Sequence, residues 1–220
     1  MTRRPWYVFD PALAAILCII VAGVALAVDL RTPNKNGIKM PFLSGQSCGP
    51  KCGTERWAVK TLTDQDTGGI VPQVVGTTVL ALRQLRAPPR DSLPPAGREH
   101  VDMTERTLFL VHVDVLGWKA EADSDFHLVI ADPAHHAQTM IAEAPNPHCA
   151  QACSSPHAGE FATVRAVVVA ALGHPGRYKR LAHPVRAALT GVGFFDFIHG
   201  QTGVAPNGIE LHPLLHFERE

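Results

Sequence analysis

Neither sign of charge has a surplus in this chain: 20 lysines and arginines stand against 20 aspartates and glutamates over 220 residues. Nucleic acid is therefore not an expected partner, because its recognition begins with a basic excess. Familiar catalytic signatures are missing too. The sequence holds no HExxH, no GxSxG and no phosphate-cradling glycine loop, so no reaction is announced by motif. Neither CxxxC pair is followed by histidine, which argues against covalent haem attachment. The twelve histidines are scattered along the chain.

One long apolar run is present. Ala12 to Val28 reads ALAAILCIIVAGVALAV, 17 residues without charge or proline, preceded by Arg3 and Arg4. Leu30 and the aromatics before Pro11 extend it towards the ~20 residues that cross a hydrocarbon core about 30 Å thick. The pattern predicts a transmembrane helix over 12–30, with Trp6, Tyr7 and Phe9 at the membrane interface and residues 1–11 cytoplasmic. Everything after Asp29 would then lie in the periplasm of a bacterium, anchored by a single pass of the inner membrane. A cleaved secretory signal is the alternative, but its apolar core is about 7 to 15 residues, and no polar stretch precedes the small-residue site at Ala25-Leu26-Ala27. Both readings export the remaining residues. Ala12, Ala14, Ala15, Ala22, Gly23, Ala25 and Ala27 suit close helix packing in lipid, so subunits of a membrane complex are the expected partners.

Of the five cysteines, Cys18 lies inside the apolar run and reads as a small packing residue. Cys48, Cys52, Cys149 and Cys153 form the two CxxxC pairs, and an even set of four in an oxidising compartment predicts two disulfides. Bonds between the segments are favoured over bonds within them. Joining residues about 100 apart removes ~4 to 5 kcal/mol of unfolded-chain freedom, whereas a Cys48–Cys52 bond closes only a small loop. A four-cysteine zinc site is the rival, although two-residue spacings are more usual there.

Residues 31–47 read as a polar tether rich in proline, glycine and asparagine, and 48–100 as an N-terminal subdomain. In it Arg56 to Thr61 reads as a short strand, and Thr77 to Leu85 as a helix behind a threonine cap. From 101 to 220 the pattern is mainly β. TLFLVHVDVLGW from Thr107 alternates with period two, and Gly117 near its end marks a bulge or corner. FHLVIA follows the Asp123-Ser124-Asp125 turn, and TMIAEA follows Asp132-Pro133. An apolar helix runs from about Glu160 to Leu172, and strands at Val185 to Phe195 and Gly208 to Phe217 close the chain. This order, three strands, one helix and two strands, is that of an OB-like five-stranded barrel. The fold class expected is thus mainly β with one or two helices plus the membrane helix.

The richest polar constellation is His127, Glu143, His199, Glu210 and His212, with Asp125 and Asp196 beside them in sequence. Alternation puts Glu210, His212 and His216 on one strand face, and His127 opposite Phe126 and Leu128. Imidazoles and carboxylates on one surface can ligate a metal, with His127 and His212 the first choices, or act as general acid and base. The alternative is that they are polar groups on a solvated face, or buried ones whose hydrogen bonds pin the loop from His199 to Asn207. No cofactor is required by the pattern. Phe194, Phe195 and Phe197 place aromatics on both faces of their strand, more than one core face needs, and exposed aromatics favour interfaces.

CGTERWAVKT from Cys52, DSDFHLVIAD from Asp123, MIAEAPNPHC from Met140 and GVGFFDFIHGQTGVAPNGIELHPLL from Gly191 resemble uncharacterised exported bacterial proteins. The resemblance implies an OB-like domain and names no reaction. OB-like barrels include the staphylococcal-nuclease family, whose calcium-binding aspartate, two arginines and glutamate surround a phosphate. Asp125 and Glu143 can be cast as the acids, but no arginine stands near them in the barrel strands, so nuclease chemistry is not expected. WYVFDP from Trp6 to Pro11, followed by a single apolar helix, is similar to light-harvesting alpha polypeptides of purple photosynthetic bacteria. Val28, Asp29 and Leu30 stand where those polypeptides carry the histidine that ligates pigment. That resemblance implies a helix packing among such polypeptides without binding bacteriochlorophyll. The expected function is a non-catalytic accessory subunit of a membrane complex, with a metal-dependent periplasmic hydrolase and an OB-like ligand-binding module as alternatives.

Overall fold

The strand β2 (Thr107–Ala120) is the spine of the molecule: Phe109, Val111 and Val113 are buried on one face of its first half while His112 between them is exposed, and from Val113 to Trp118 both faces are buried. The computed structural model describes residues 48–89, 100, 102–174 and 176–220. The membrane helix, the interfacial Trp6, Tyr7 and Phe9, and the tether lie outside the described residues. Among the described residues no helix is long and apolar enough to cross a membrane.

The other elements are α1 (Trp57–Lys60), β1 (Val71–Thr77), α2 (Val79–Arg83), β3 (Phe126–Ala131), β4 (Thr139–Ala144), α3 (Ala158–Leu172), β5 (Lys179–Phe195) and β6 (Ile209–Arg219). The strands form one sheet in the order β1-β2-β3-β4-β6-β5, and β2 also pairs with β5, so the bonding runs round a ring. Only two residue pairs, Ile141 with Glu210 and Ala142 with Leu211, join β4 to β6, in parallel. The expected OB-like five-stranded barrel is therefore met only in part: among the described residues there are six strands, and their ring of bonding is unevenly sealed, not a clear barrel.

Several sequence-level boundaries hold. The β3 and β4 strands occupy the expected residues, and Thr78 caps α2 by accepting from the Ala81 N–H at 3.1 Å. Gly117 sits at a register break in β2 between Val115 and Gly117. A β-carbon there would lie 2.6 Å from Tyr178 Oη and 2.9 Å from the Lys179 carbonyl, so the bulge needs glycine.

Two expectations fail. Arg56 to Thr61 is no strand: Trp57–Lys60 is a single helical turn whose four residues are all buried. A four-residue buried run carries no periodicity to separate helix from strand. The chain enters it through Arg56 at φ 49°, in the left-handed region, and Arg56 is held there by Glu105. The strand β1 was not foreseen, because its residues 72–76 are exposed on both faces and show no alternation. It pairs in parallel with the first part of β2. With α1 and α2 the α-helices among the described residues number three, against the one or two expected besides the membrane helix.

The main core gathers Val111, Val113, Val115, Leu128, Ile130, Met140, Leu189, Leu211 and Leu214 with Val164 and Val168 of α3. Phe161 on the same helix stripe packs instead with Trp57, Cys149 and Ala152. Cys48 bonds Cys153 and Cys52 bonds Cys149, spanning 105 and 97 residues, so both disulfides cross-link the two segments as expected. All four sulfurs are consumed, which excludes the four-cysteine zinc site. The Trp57 indole N–H donates to the Ala150 carbonyl at 3.0 Å beside them.

Asp64 anchors the turn after α1. Burial disfavours its carboxylate, but hydrogen bonds from His100, Thr67 and the Asp66 N–H outweigh burial and hold its pKa below the usual range. Its stabilisation is complete above the unfolded value of about 3.9 and is lost as pH falls towards the folded value. Asp64→Asn is expected to lower stability at neutral pH and to flatten the acid limb below about pH 4. Urea melts of both proteins at pH 7 and pH 3 check this, and equal acid slopes would contradict it.

Candidate functional site

Glu143 stands at the centre of a buried polar cluster because β4 pairs His127 directly opposite it on β3, while Glu210 enters from β6 against Ile141. His127 Nδ1 lies 2.9 Å from Glu143 Oε1 and 3.1 Å from Glu121 Oε1. Its Nε2 lies 2.8 Å from the Thr202 carbonyl. His212 takes the other oxygen: Nδ1 is 3.1 Å from Glu143 Oε2 and 3.1 Å from Glu210 Oε1. His212 Nε2 faces Asp125 Oδ2 at 3.4 Å, and these two buried atoms have no hydrogen-bond partner. Both imidazoles are fully buried.

The cluster opens on a pocket of about 320 Å³ lined by Lys60, Glu121, Glu143, Asp196, His199 and Glu210, with Trp57 and Gln201 on its walls. All five predicted residues thus converge. Glu143, Glu210 and the exposed His199 line the pocket, while His127 and His212 do not line it but are held through Glu143 and Glu210. His216 does not join them: it is exposed beside Glu218. Two register breaks between β5 and β6, around Gly191 and between Gly191 and Gly193, shift the inward positions from Ile209 and Leu211 to Leu214 and then Phe217. Simple alternation along β6 therefore fails after His212.

Sequence reasoning missed Lys60 and Glu121. Lys60 Nζ donates to Asp196 Oδ2 at 2.9 Å and sits 5.3 Å from the centre of the Phe194 ring. A lysine closing an apolar four-residue run was the available signal. Glu121 begins the turn to β3 and also pairs with Lys119 at 2.8 Å.

Burial opposes the charge of Lys60, yet Asp196, Glu210 and Glu143 outweigh it and hold the ammonium above its usual range. Burial likewise opposes a charged His127, but Glu121 and Glu143 prevail and raise it to about 10. Burial would raise Glu143; hydrogen bonds from both imidazoles instead hold it well below the carboxylate range. Burial, with the charges of Glu143 and Asp196, pushes Glu210 up to about 7. Asp125 is raised to about 6 by burial against the pull of His212. The pocket thus combines a fixed cation, a fixed anion and one carboxyl able to exchange a proton near neutrality.

The loop between β5 and β6 is held from four sides. His127 holds Thr202, Lys60 holds Asp196, the Asp196 N–H donates to Gly208 at 2.9 Å, and the Asn207 amide donates to the carbonyls of Leu82 and Leu85 at 3.0 Å each. Gly203 passes so close to Val129 at φ 88° that a β-carbon would lie 2.7 Å from its methyl groups. Ile198, 40 % exposed, and His199 face outward on this loop. Comparison of the chain with known protein families, with curated proteins and with solved structures finds no match.

Proposed function

We propose that this chain is a non-catalytic accessory subunit of a bacterial membrane complex, anchored by the Ala12–Val28 helix and presenting an OB-like domain in the periplasm. The pairing order supports the OB-like assignment. Taking β2 to β6 as five strands, the first pairs with the second and fourth, the third with the second and fifth, and α3 lies between the third and fourth. The two long-range disulfides support export. The observation that carries the reading is the pinned loop 196–207, a preorganised surface that presents Ile198 and His199 without ordering cost on docking. The resemblance of Trp6–Pro11 makes a photosynthetic complex the most concrete host. Ile198→Asp is expected to release the protein from its complex while leaving its thermal midpoint within about 1 °C, since exposed substitutions change stability little. Co-purification from gently solubilised membranes checks this, and retained association at wild-type stoichiometry would refute it.

A second reading, a metal-dependent hydrolase, is favoured by Glu210 and Lys60 facing the same pocket as Glu121 and Glu143. Its test is turnover of ester or phosphate-ester substrates by the full chain, abolished in Glu210→Gln.

A further inference from the structure

Three atoms converge at the edge of the pocket: Glu121 Oε1, His127 Nδ1 and Glu143 Oε1, with Nδ1 at 3.1 and 2.9 Å from the two oxygens. What occupies the space between them follows from the far side of the ring. The Thr202 carbonyl, 2.8 Å from His127 Nε2, can only accept, so Nε2 carries its hydrogen. In the neutral imidazole the lone pair is then on Nδ1, aimed at two carboxylates. Lys119 Nζ, 2.8 Å from the same Glu121 oxygen, offsets one of these charges from outside, but the lone pair itself is repelled unless a cation stands on Nδ1, either a proton or a metal ion.

We propose that a divalent transition-metal ion of the zinc class binds here, ligated by Glu121 Oε1, His127 Nδ1 and Glu143 Oε1. A ring nitrogen that donates to a backbone carbonyl while the other faces the ion is the arrangement that orients metal-bound histidines. Ligands about 2.0 to 2.1 Å from a tetrahedral ion stand roughly 3.3 Å apart, so the atoms at 2.9 and 3.1 Å from Nδ1 need part by only a few tenths of an ångström to admit one. On binding, the ion replaces the proton at Nδ1, which leaves to solvent. Glu121 and Glu143 both line the open pocket, so the ion has an entry path and water completes its coordination. The two imidazoles do not share one ion. His212 belongs to a separate group with Asp125 and Glu143, on the other oxygen of Glu143. Glu121 is the most exposed of the three ligands, at 28 % of its side chain, so its exchange is the one expected to disturb the buried packing least.

This site is the metal that the hydrolase reading needs, but it is argued from the His127 tautomer and tested by binding alone. The full chain carrying Cys18→Ser, which removes the thiol outside the disulfides, is stripped with chelator and titrated with Zn²⁺ by calorimetry. One ion per chain is expected, with affinity at least tenfold weaker in Glu121→Gln. Chelator should lower the thermal midpoint of the parent and leave that of Glu121→Gln unchanged. No binding by the parent, or equal binding by Glu121→Gln, would overturn the site. So would a loss confined to Asp125→Asn, which would place the ion on His212. A bound ion without hydrolysis sinks only the hydrolase reading, whereas hydrolysis without a bound ion overturns this site together with the metal dependence of that reading.

Discussion

Replacing Glu105 by glutamine should destabilise the domain by about 3 to 5 kcal/mol, the cost of stripping the partner from a buried charge. Glu105 and Arg56 are both completely buried, joined through two contacts at 2.8 and 2.5 Å. Glu105 also accepts from the Phe195 N–H at 3.0 Å, and Arg56 donates to the Phe195 carbonyl at 2.9 Å with its guanidinium 4.5 Å from the Phe194 ring centre. The pair therefore fastens α1 and the turn before β2 to the end of β5, where the pinned loop begins. Glutamine keeps the volume but turns an N–H₂ towards a guanidinium that offers only donors. Urea unfolding should show a lower midpoint with an unchanged slope. A loss below about 1 kcal/mol would mean that the ion pair is not what holds α1 in place.

The disulfides should prove strongly non-additive. Either bond alone ties residues about 100 apart, and with one in place the other closes only a ring of roughly ten residues. In the chain-entropy account, losing one bond costs about 3 kcal/mol, and losing both costs about 7. Cys48→Ser with Cys153→Ser should thus leave a folded domain, while all four serines should leave one near or below the limit of marginal stability. Losses of equal size for the first and second bond would contradict this nested arrangement.

Different parts of the fold were legible for different reasons. The first half of β2 wrote its one buried face into an alternation, whereas β3 and β4, buried at almost every position, and α3 were legible as apolar runs of strand or helix length bounded by turn residues. The edge strand β1, exposed on both faces, wrote nothing. The turn Trp57–Lys60, buried on every side, was equally silent. The site followed the same logic. His127, Glu143, Glu210 and His212 were found because polar residues interrupt otherwise apolar strands. Lys60 was missed because its burial depends on Asp196, 136 positions away, and no local pattern encodes such a partner. His216 was misplaced because a register break is a property of two strands, not one.

The central claim is that the domain is an exported, membrane-anchored subunit docked through loop 196–207. The most direct test is to isolate the full chain by a tag after Glu220 from gently solubilised native membranes, recording the co-purifying polypeptides and the absorption spectrum, for the wild type and Ile198→Asp in parallel. The account predicts a fixed stoichiometry of membrane subunits with the wild type and their loss with the variant, with bacteriochlorophyll bands if the host is photosynthetic. A lone, colourless wild-type protein would contradict it.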